Sequence, residues 1–383
     1  MAYKIPFYRH DIGDPELENV RRVFENPILT TGEFTEQFED EFSAYTSLPY
    51  VLGVTSCTGA LHMALLAMNI GPGDEVITTP LTYVATATAI ESAGAVPVFV
   101  DVEKSTGNID ASKIEDAITK KTRAILPVHL YGLMCDMFSI RDLASQYNLK
   151  IIEDCAHCVE GARSKVRPGQ LSDAACYSFF ATKNLTCGEG GAIAVRDEKI
   201  FHRLKRLRLH GATKSAVDRY REGYSDWDVI EMGWKYNMSN IDAAILLPQL
   251  NRIDVKLRER HRLARNYSAL FRDHQKIQLQ SEIVDSVHAR HLFTVWIDSD
   301  RMHTINKLRE CGIETVVNYN PIHLTSFFSK KYGYKAGDFP IAESIGSRTL
   351  SLPFYPYMPD EHVEEVASTL KKLLSLNGAK SRG

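Results

Sequence analysis

Between Glu75 and Asp154, short apolar runs alternate with stretches of helical period, and this alternation most restricts the fold. Glu75-Val-Ile-Thr-Thr79, Val96-Pro-Val-Phe-Val100, Ala124-Ile-Leu-Pro-Val128 and Leu149-Lys-Ile-Ile152 read as strands. Residues 82–93 and 137–147 read as helices between them, and residues 114–118 as part of another introduced by Asp110 and Ser112. Near-continuous apolar strands need cover on both faces, and strand–helix–strand order makes neighbouring strands parallel. The expectation is a mostly parallel α/β sheet with helices on both sides. In such sheets ligands collect at the carboxyl ends of the strands, and Asp154 falls at one.

Two further strands, 174–179 and 192–195, flank a glycine-bearing loop. From Asn240 the period turns helical, with Ile241, Ala244, Ile245, Leu247 and Leu250 on one face and polar residues running to Arg265; Pro248 predicts a kink. After Gln275 a different unit begins: strands at 291–297 and 315–319, a helix at 302–311 and a terminal helix at 361–374. The 383 residues are enough for two domains. The expected division is 1–255 for the large one and 256–383 for the small one.

The chain is 44% hydrophobic and 24% charged, an ordinary globular balance. A net charge of −3 gives no electrostatic footprint for nucleic acid or an anionic membrane. No apolar run reaches the length of a bilayer span, and Met1-Ala-Tyr-Lys-Ile-Pro6 lacks the apolar core of a secretion signal. A cytoplasmic location is expected. Seven cysteines, an odd number, do not read as a disulfide framework in a chain of this size. Cys155 and Cys158 bracket His157, but no second close Cys or His pair completes a zinc set. No metal is expected, and both are read as small apolar fillers.

Lys183 lies in Ser178-Phe-Phe-Ala-Thr-Lys-Asn-Leu-Thr-Cys-Gly-Glu-Gly-Gly191, flanked by small and hydroxyl residues. Upstream, the strand ending at Ile152 delivers Glu153 and Asp154 to a loop that also holds His157. A lysine amine facing an acidic residue at a strand end suits pyridoxal 5'-phosphate (PLP). The amine condenses with the cofactor's aldehyde, and the carboxylate keeps the pyridine nitrogen protonated. Alone, a loop lysine is ordinarily a solvated charge and an acid after a strand is often a helix cap; the combination points to the cofactor. Thr55-Ser-Cys-Thr-Gly-Ala-Leu61 adds a hydroxyl-rich turn opening a helical pattern. Its free N–H groups and dipole would seat a phosphate, with a plain N-cap by Ser56 or Thr58 as the bland alternative.

Glu153-Asp-Cys-Ala-His157, Phe179-Phe-Ala-Thr-Lys-Asn184 and Gly188-Glu-Gly-Gly191 resemble the signature segments of the DegT-type nucleotide-sugar aminotransferases, from about Pro6 to the region of Pro356. The resemblance implies an aspartate-aminotransferase-like PLP fold: a mostly parallel central sheet covered by helices, plus a smaller α+β C-terminal domain. It implies Lys183 and Asp154 as catalytic residues, and Cys57, Thr58, Tyr83, Asp154, His157, Ser178 and Lys183 around the cofactor. Cys57 stands where the family usually has glycine. Tyr83 matches the aromatic near the pyridine ring, His157 the group beside the ring's phenolic oxygen, and Ser178 a phosphate-binding hydroxyl. Asn237, in Gly233-Trp-Lys-Tyr-Asn-Met-Ser239, matches a residue that crosses a homodimer interface to the partner's cofactor phosphate. His210, Lys235 and His323 match the nucleotide-sugar side.

The implied reaction is a transamination with ping-pong kinetics. An amino-acid donor, glutamate by resemblance, leaves its nitrogen on the cofactor as pyridoxamine phosphate (PMP), and a nucleotide-linked keto-sugar takes it. Gly71-Pro-Gly-Asp-Glu-Val-Ile77, His210-Gly211 and Lys235-Tyr-Asn237 look closest to members that aminate C4, while members acting at C3 share most of the motifs. A PLP-dependent sugar dehydratase of the same fold is disfavoured by Lys183, since those relatives carry histidine there. A non-catalytic regulatory homologue is disfavoured by the intact pair of Lys183 and Asp154.

Overall fold

The computed structural model describes residues 3–214 and 226–376. Two helices, α1 (Asp14–Phe24) and α2 (Glu33–Thr46), precede the first strand, β1 (Tyr50–Val54). The chain then runs α3 (Cys57–Ala67), β2 (Glu75–Thr78), α4 (Ala85–Ser92), β3 (Val96–Phe99), β4 (Thr122–Ile125), α5 (Met137–Tyr147) and β5 (Lys150–Asp154). A short β6 (Ala162–Arg163) leads to β7 (Ala174–Ser178), β8 (Gly191–Val195), α6 (Glu198–Leu207), α7 (Asn240–Leu250) and α8 (Ile253–Phe271). The remainder is β9 (Ile277–Leu279), β10 (Ser286–Val287), β11 (Phe293–Ile297), α9 (Arg301–Glu310), α10 (Ser326–Tyr332), α11 (Pro340–Arg348), β12 (Thr349–Leu352) and α12 (Asp360–Leu376).

Seven strands form one sheet in the order β1-β8-β7-β5-β4-β2-β3. All pairs are parallel except those that β8 makes with β1 and β7. Because β8 is antiparallel to both neighbours, β1 and β7 point the same way. The carboxyl ends of β1, β2, β5 and β7 therefore share one edge, and the fold class expected from the alternation is the one observed. Side chains alternate across the pleat. Leu52, Val54, Ile152, Cys176 and Ile193 pack on one face with α3 and α6. Val51, Ala175, Tyr177, Ala192 and Ala194 pack on the other with α2 and α7.

A second core is built on the antiparallel sheet β12-β11-β9, covered by α8, α9 and α12. Its buried members begin at Leu263 of α8, with Ile5 joining from the other end of the chain. Ile5 is held there by backbone bonds to Gly312 and Glu314, both 3.0 Å. We propose the division 1–255 and 256–383, with the stretch around Ile5 crossing it.

Local departures have physical causes. Pro248 lies inside α7, which ends two residues after it, and α8 begins at Ile253. Pro248 has no N–H for the carbonyl of Ala244, and Asn19 Nδ2 donates to that oxygen instead, at 3.2 Å. The helix expected around 114–118 is replaced by two single 3₁₀ turns, Ala111–Lys113 and Glu115–Ala117, too short to nucleate an α-helix. The strand expected at 315–319 is reduced to one bridge between Val316 and Ser351, after which the chain leaves the sheet edge and reaches the site with Asn318 and Tyr319.

Gly191 opens β8 where α3 begins. A Cβ there would lie 2.6 Å from the amide nitrogen of Cys57 and the carbonyl carbon of Ser56, and 2.7 Å from the oxygen of Tyr177. All three are backbone atoms, so nothing can swing aside. Gly191→Ala should therefore lower the unfolding free energy by roughly 2 kcal/mol, the usual cost of overpacking, and displace the Ser56–Cys57 turn. Urea denaturation checks it; a change below about 0.5 kcal/mol would mean that the turn yields.

Candidate active site

Each chemical group reaches the site from a strand end or a helix start. Ser56 follows β1 and caps α3, accepting the N–H of Gly59 at 3.0 Å. That leaves the first-turn amides of Cys57 and Thr58 without partners inside the helix. Asp154 closes β5 and Ser178 closes β7; the two strands are in register, with Asp154 opposite Cys176. Lys183 sits in the connection from β7 to β8. Cys57, Thr58, Tyr83, Asp154, His157, Ser178 and Lys183 all line one cavity of about 400 Å³.

Asp154 is buried, and donors surround it. Thr86 Oγ1 of α4 donates to Oδ2 at 2.8 Å, and the amide of Ala156 to Oδ1 at 3.0 Å. The Cys57 thiol approaches Oδ1 at 3.8 Å. Burial first, and then the Asp154 charge, push that thiol well up, so it remains protonated and able to donate. Lys183 is half-buried, and its Nζ lies 3.3 Å from Nε2 of His291. Burial draws its amine down from the ordinary 10.5 to about 8, against the opposing attraction of Asp154.

His157 is buried, and its tautomer is set by its neighbours. Nδ1 accepts the amide N–H of Tyr131 at 3.2 Å, so the ring proton is on Nε2, which donates to the Tyr319 hydroxyl oxygen at 2.9 Å. His157 also packs on His291, ring centres 4.5 Å apart. Burial first, then the charge of Lys183, hold both imidazoles well below their ordinary values, so both are neutral. Tyr83 is exposed at the cavity mouth, 5.9 Å from the Tyr319 ring. His291, Tyr319 and Thr86 were not expected from the sequence. Thr86 stands one helical turn after Thr82, whose hydroxyl it meets at 3.1 Å; the other two carry no local signal.

His210, Lys235 and Asn237 gather in a different cavity, of about 340 Å³, together with Thr30 and Thr31. There Asn237 Nδ2 donates to Thr31 Oγ1 at 2.8 Å and Thr30 Oγ1 at 3.2 Å. His323 reaches neither cavity. It is fully buried against Phe339, with Nε2 at 3.0 Å from Glu343. His129, Glu153 and Cys155 cluster closely enough to suit a metal, but the histidine's nitrogens are already engaged, Nδ1 by the amide of Cys135 and Nε2 by Glu153.

The first cavity combines unpaired amides at a helix start, a buried carboxylate and an amine of lowered basicity. This donor set fits PLP: an anion seat for the phosphate, a counter-charge for the pyridinium, and a nucleophile for the aldehyde.

The DegT/DnrJ/EryC1/StrS aminotransferase family matches residues 10–371. The spore coat polysaccharide biosynthesis protein SpsC of Bacillus subtilis (strain 168) is 38% identical over 381 residues, 98% of this chain and 97% of its own. DesV of S. venezuelae, solved in complex with a ketimine intermediate, superposes with a TM-score of 0.91 at 31% identity, covering 98% of this chain and 99% of that one. A Streptococcus pneumoniae protein solved in its PLP-form superposes with a TM-score of 0.90 at 29% identity, over 97% of this chain and 99% of that one. Among the described residues, no helix is long and apolar enough to cross a membrane.

The lowered basicity of Lys183 has a signed consequence for stability. Below about pH 8 the amine is charged in both the folded and the unfolded chain, and folding bears the full burial penalty. Between about 8 and 10.5 the folded chain has lost the proton while the unfolded chain retains it, so the penalty recedes as pH rises. The difference in unfolding free energy between cofactor-free protein and its Lys183→Met variant should be flat below pH 8. It should then move in favour of lysine by up to about 3 kcal/mol above it. Denaturant titration across pH tests this; a flat difference throughout would mean an amine of ordinary basicity.

Proposed function

The chain belongs to the DegT/DnrJ/EryC1/StrS aminotransferase family, and from that premise we propose that it moves an amino group from glutamate to C4 of a nucleotide-linked keto-sugar. It is a PLP-dependent sugar aminotransferase, with PLP and PMP as the two forms of its cofactor. The observation that carries the proposal is the meeting of the Lys183 amine, the Asp154 carboxylate and the start of α3 in one cavity.

When bound, PLP supplies an aldehyde to receive the donor's nitrogen and a ring to receive the electrons released at the donor's α-carbon. The first-turn amides of Cys57 and Thr58, with the Ser178 hydroxyl, would hold the phosphate. Asp154, its geometry fixed by Thr86 and Ala156, would face the pyridine nitrogen. His157 holds the Tyr319 hydroxyl in place, and Tyr83 offers a flat face at the mouth. Lys183 is the proton carrier. With a value of about 8, a useful fraction of Nζ is free base near neutrality, and it can take a proton from one carbon and return it to another.

The basic groups of His210 and Lys235 support a phosphate-bearing substrate and Asn237 a cofactor phosphate, yet their cavity does not include Lys183. A two-fold dimer in which this cavity serves the partner's site reconciles the two. A cytoplasmic location is supported by seven cysteines carried as unpaired thiols. The relation to SpsC supports a product destined for polysaccharide.

The test is a panel of nucleotide-linked 3-keto and 4-keto sugars with glutamate, the product's regiochemistry read by NMR. Amination at C4 is expected; turnover confined to 3-keto substrates would move the assignment to C3. Lys183→Ala should abolish turnover. Asp154→Asn should retain cofactor and lose about 2–4 kcal/mol of transition-state stabilisation. Near-normal rates in either would overturn its role. For the dimer, Asn237→Asp sets a carboxylate against the partner's cofactor phosphate and should weaken cofactor binding. Mixed with Lys183→Ala, it should restore roughly a quarter of the wild-type sites, since each heterodimer holds one doubly defective and one intact site. No recovery despite demonstrated subunit exchange would place Asn237 within its own subunit's chemistry.

A further inference from the structure

Lys183 has a second neighbour that the reaction as described leaves without a role. His291 lies just before β11, 108 residues away in sequence, in a stretch whose pattern reads as strand. Its Nε2 is 3.3 Å from Lys183 Nζ, and its ring rests on His157. It lines the main cavity and also a small second one of about 20 Å³, shared with Lys183, Arg260 and Lys256. Of its two nitrogens, only Nε2 has a partner, since buried Nδ1 finds none.

We propose that His291 is the positioning residue of Lys183: its neutral imidazole offers the Nε2 lone pair to the amine, aims Nζ, and stabilises the ammonium that forms when Lys183 takes a proton. The proposal rests on the reading of Lys183 as the proton carrier. Its logic is one of supply. An ammonium withdrawn from water seeks acceptors for its three N–H bonds, and desolvation opposes it. Asp154 attracts it through its charge, while the carboxylate's oxygens accept from Thr86, Ala156 and Cys57. The cations behind it, Arg260 and Lys256, are committed to Glu160 and Asp11 and can only repel it. On the other side, His157 has its lone pair engaged by Tyr131 and its proton directed at Tyr319, a phenol that burial keeps protonated. His291 is thus the neighbour that offers Lys183 an uncommitted lone pair, and Nε2 can offer it only with the ring proton on Nδ1.

This orientation fixes a sign. An acceptor favours the charged amine, so removing it should lower the basicity of Lys183 beyond what burial alone does. A ring that instead donated Nε2–H to a neutral amine would give the opposite shift. The experiment is competitive acetylation of the full-length protein freed of cofactor. Labelling of Lys183 is followed by peptide mass spectrometry from neutral to alkaline pH. The wild-type midpoint is expected near 8. His291→Phe keeps a ring against His157 but has no lone pair, and should lower the midpoint by roughly one unit, about a ten-fold drop in the ratio of charged to free amine at fixed pH. His291→Gln restores an acceptor and should bring the midpoint back toward wild type. The visible-absorbance titration of the PLP-loaded protein should shift in the same order.

A midpoint in His291→Phe that stays in place or rises would overturn the proposal, as would failure of glutamine to restore it. If the phenylalanine variant does not fold, as judged by circular dichroism, His291→Leu takes its place with the same expectation. Because the labelling does not depend on turnover, its outcome is separate from that of Lys183→Ala. An active Lys183→Ala variant would sink the functional reading while leaving the contact intact, and an unshifted midpoint would do the reverse.

Discussion

The buried carboxylate of Asp154 is the constraint around which the site is organised. A charge in that position is tolerated only if donors surround it. Those donors come from three separate elements: the hydroxyl of Thr86 from α4, the thiol of Cys57 from α3, and the amide of Ala156 just beyond β5. Satisfying one side chain therefore locks the starts of two helices against the end of a central strand. The parallel register of β5 and β7 carries this to Ser178, two residues past the partner of Asp154, and the loop bearing Lys183 follows. Antiparallel β8 then returns the chain and lets β1 point the same way as β7. The backbone of α3 can approach so closely only because residue 191 has no side chain.

The lysine loop is held from behind by a second buried polar group. Asn184, next to Lys183, donates to both oxygens of Glu160 at 3.0 and 2.9 Å and to the carbonyl of Ala289 at 2.9 Å. Arg260 of α8 pairs with the same Glu160. Burial pushes the Glu160 carboxyl up, and the arginine and the amide pull it back. The arrangement joins three distant segments: the turn after β5, the helix that begins the second core, and the loop that carries His291. The second core is thus tied by hydrogen bonds and an ion pair to the loops that bear Lys183 and His291.

Much of this was legible in the sequence wherever the signal is local. Apolar runs that need two-sided cover identified the strands, and the α5 boundaries follow from Asp136 as cap and Asn148 in the left-handed conformation. Asp154 and Lys183 stood out because one closes a strand and the other lies in the loop that follows one, while His157 and Ser178 were singled out by the family resemblance. His291 and Tyr319 were not, because their importance arises from contacts with residues 108 and 162 positions away. Local pattern assigned both to strands. The resemblance that put His323 in a substrate loop carried no sign of its packing against Phe339 or its pairing with Glu343. At Pro248 the missing donor was foreseen, while the remedy, an asparagine in α1, depends on tertiary structure.

The same neighbours determine how many protons the site holds. Lys183, His291 and His157 are stacked within a few ångströms, and three basic groups so close cannot all be charged in a buried setting. Burial lowers all three, and the charge of Lys183 lowers both imidazoles further. The imidazoles begin from a lower ordinary value, so they are the groups that give up their charge, and Lys183 alone titrates near neutrality. His157 is further restricted because its lone pair is spent on a backbone amide that never changes state. Of these three groups, Lys183 is thereby the one that exchanges a proton near neutrality. A base that must collect a proton at one carbon and deliver it to another works best when no neighbour competes for that proton. Two neutral histidines beside one lysine meet that requirement while still supplying hydrogen bonds, which apolar residues in their place would not.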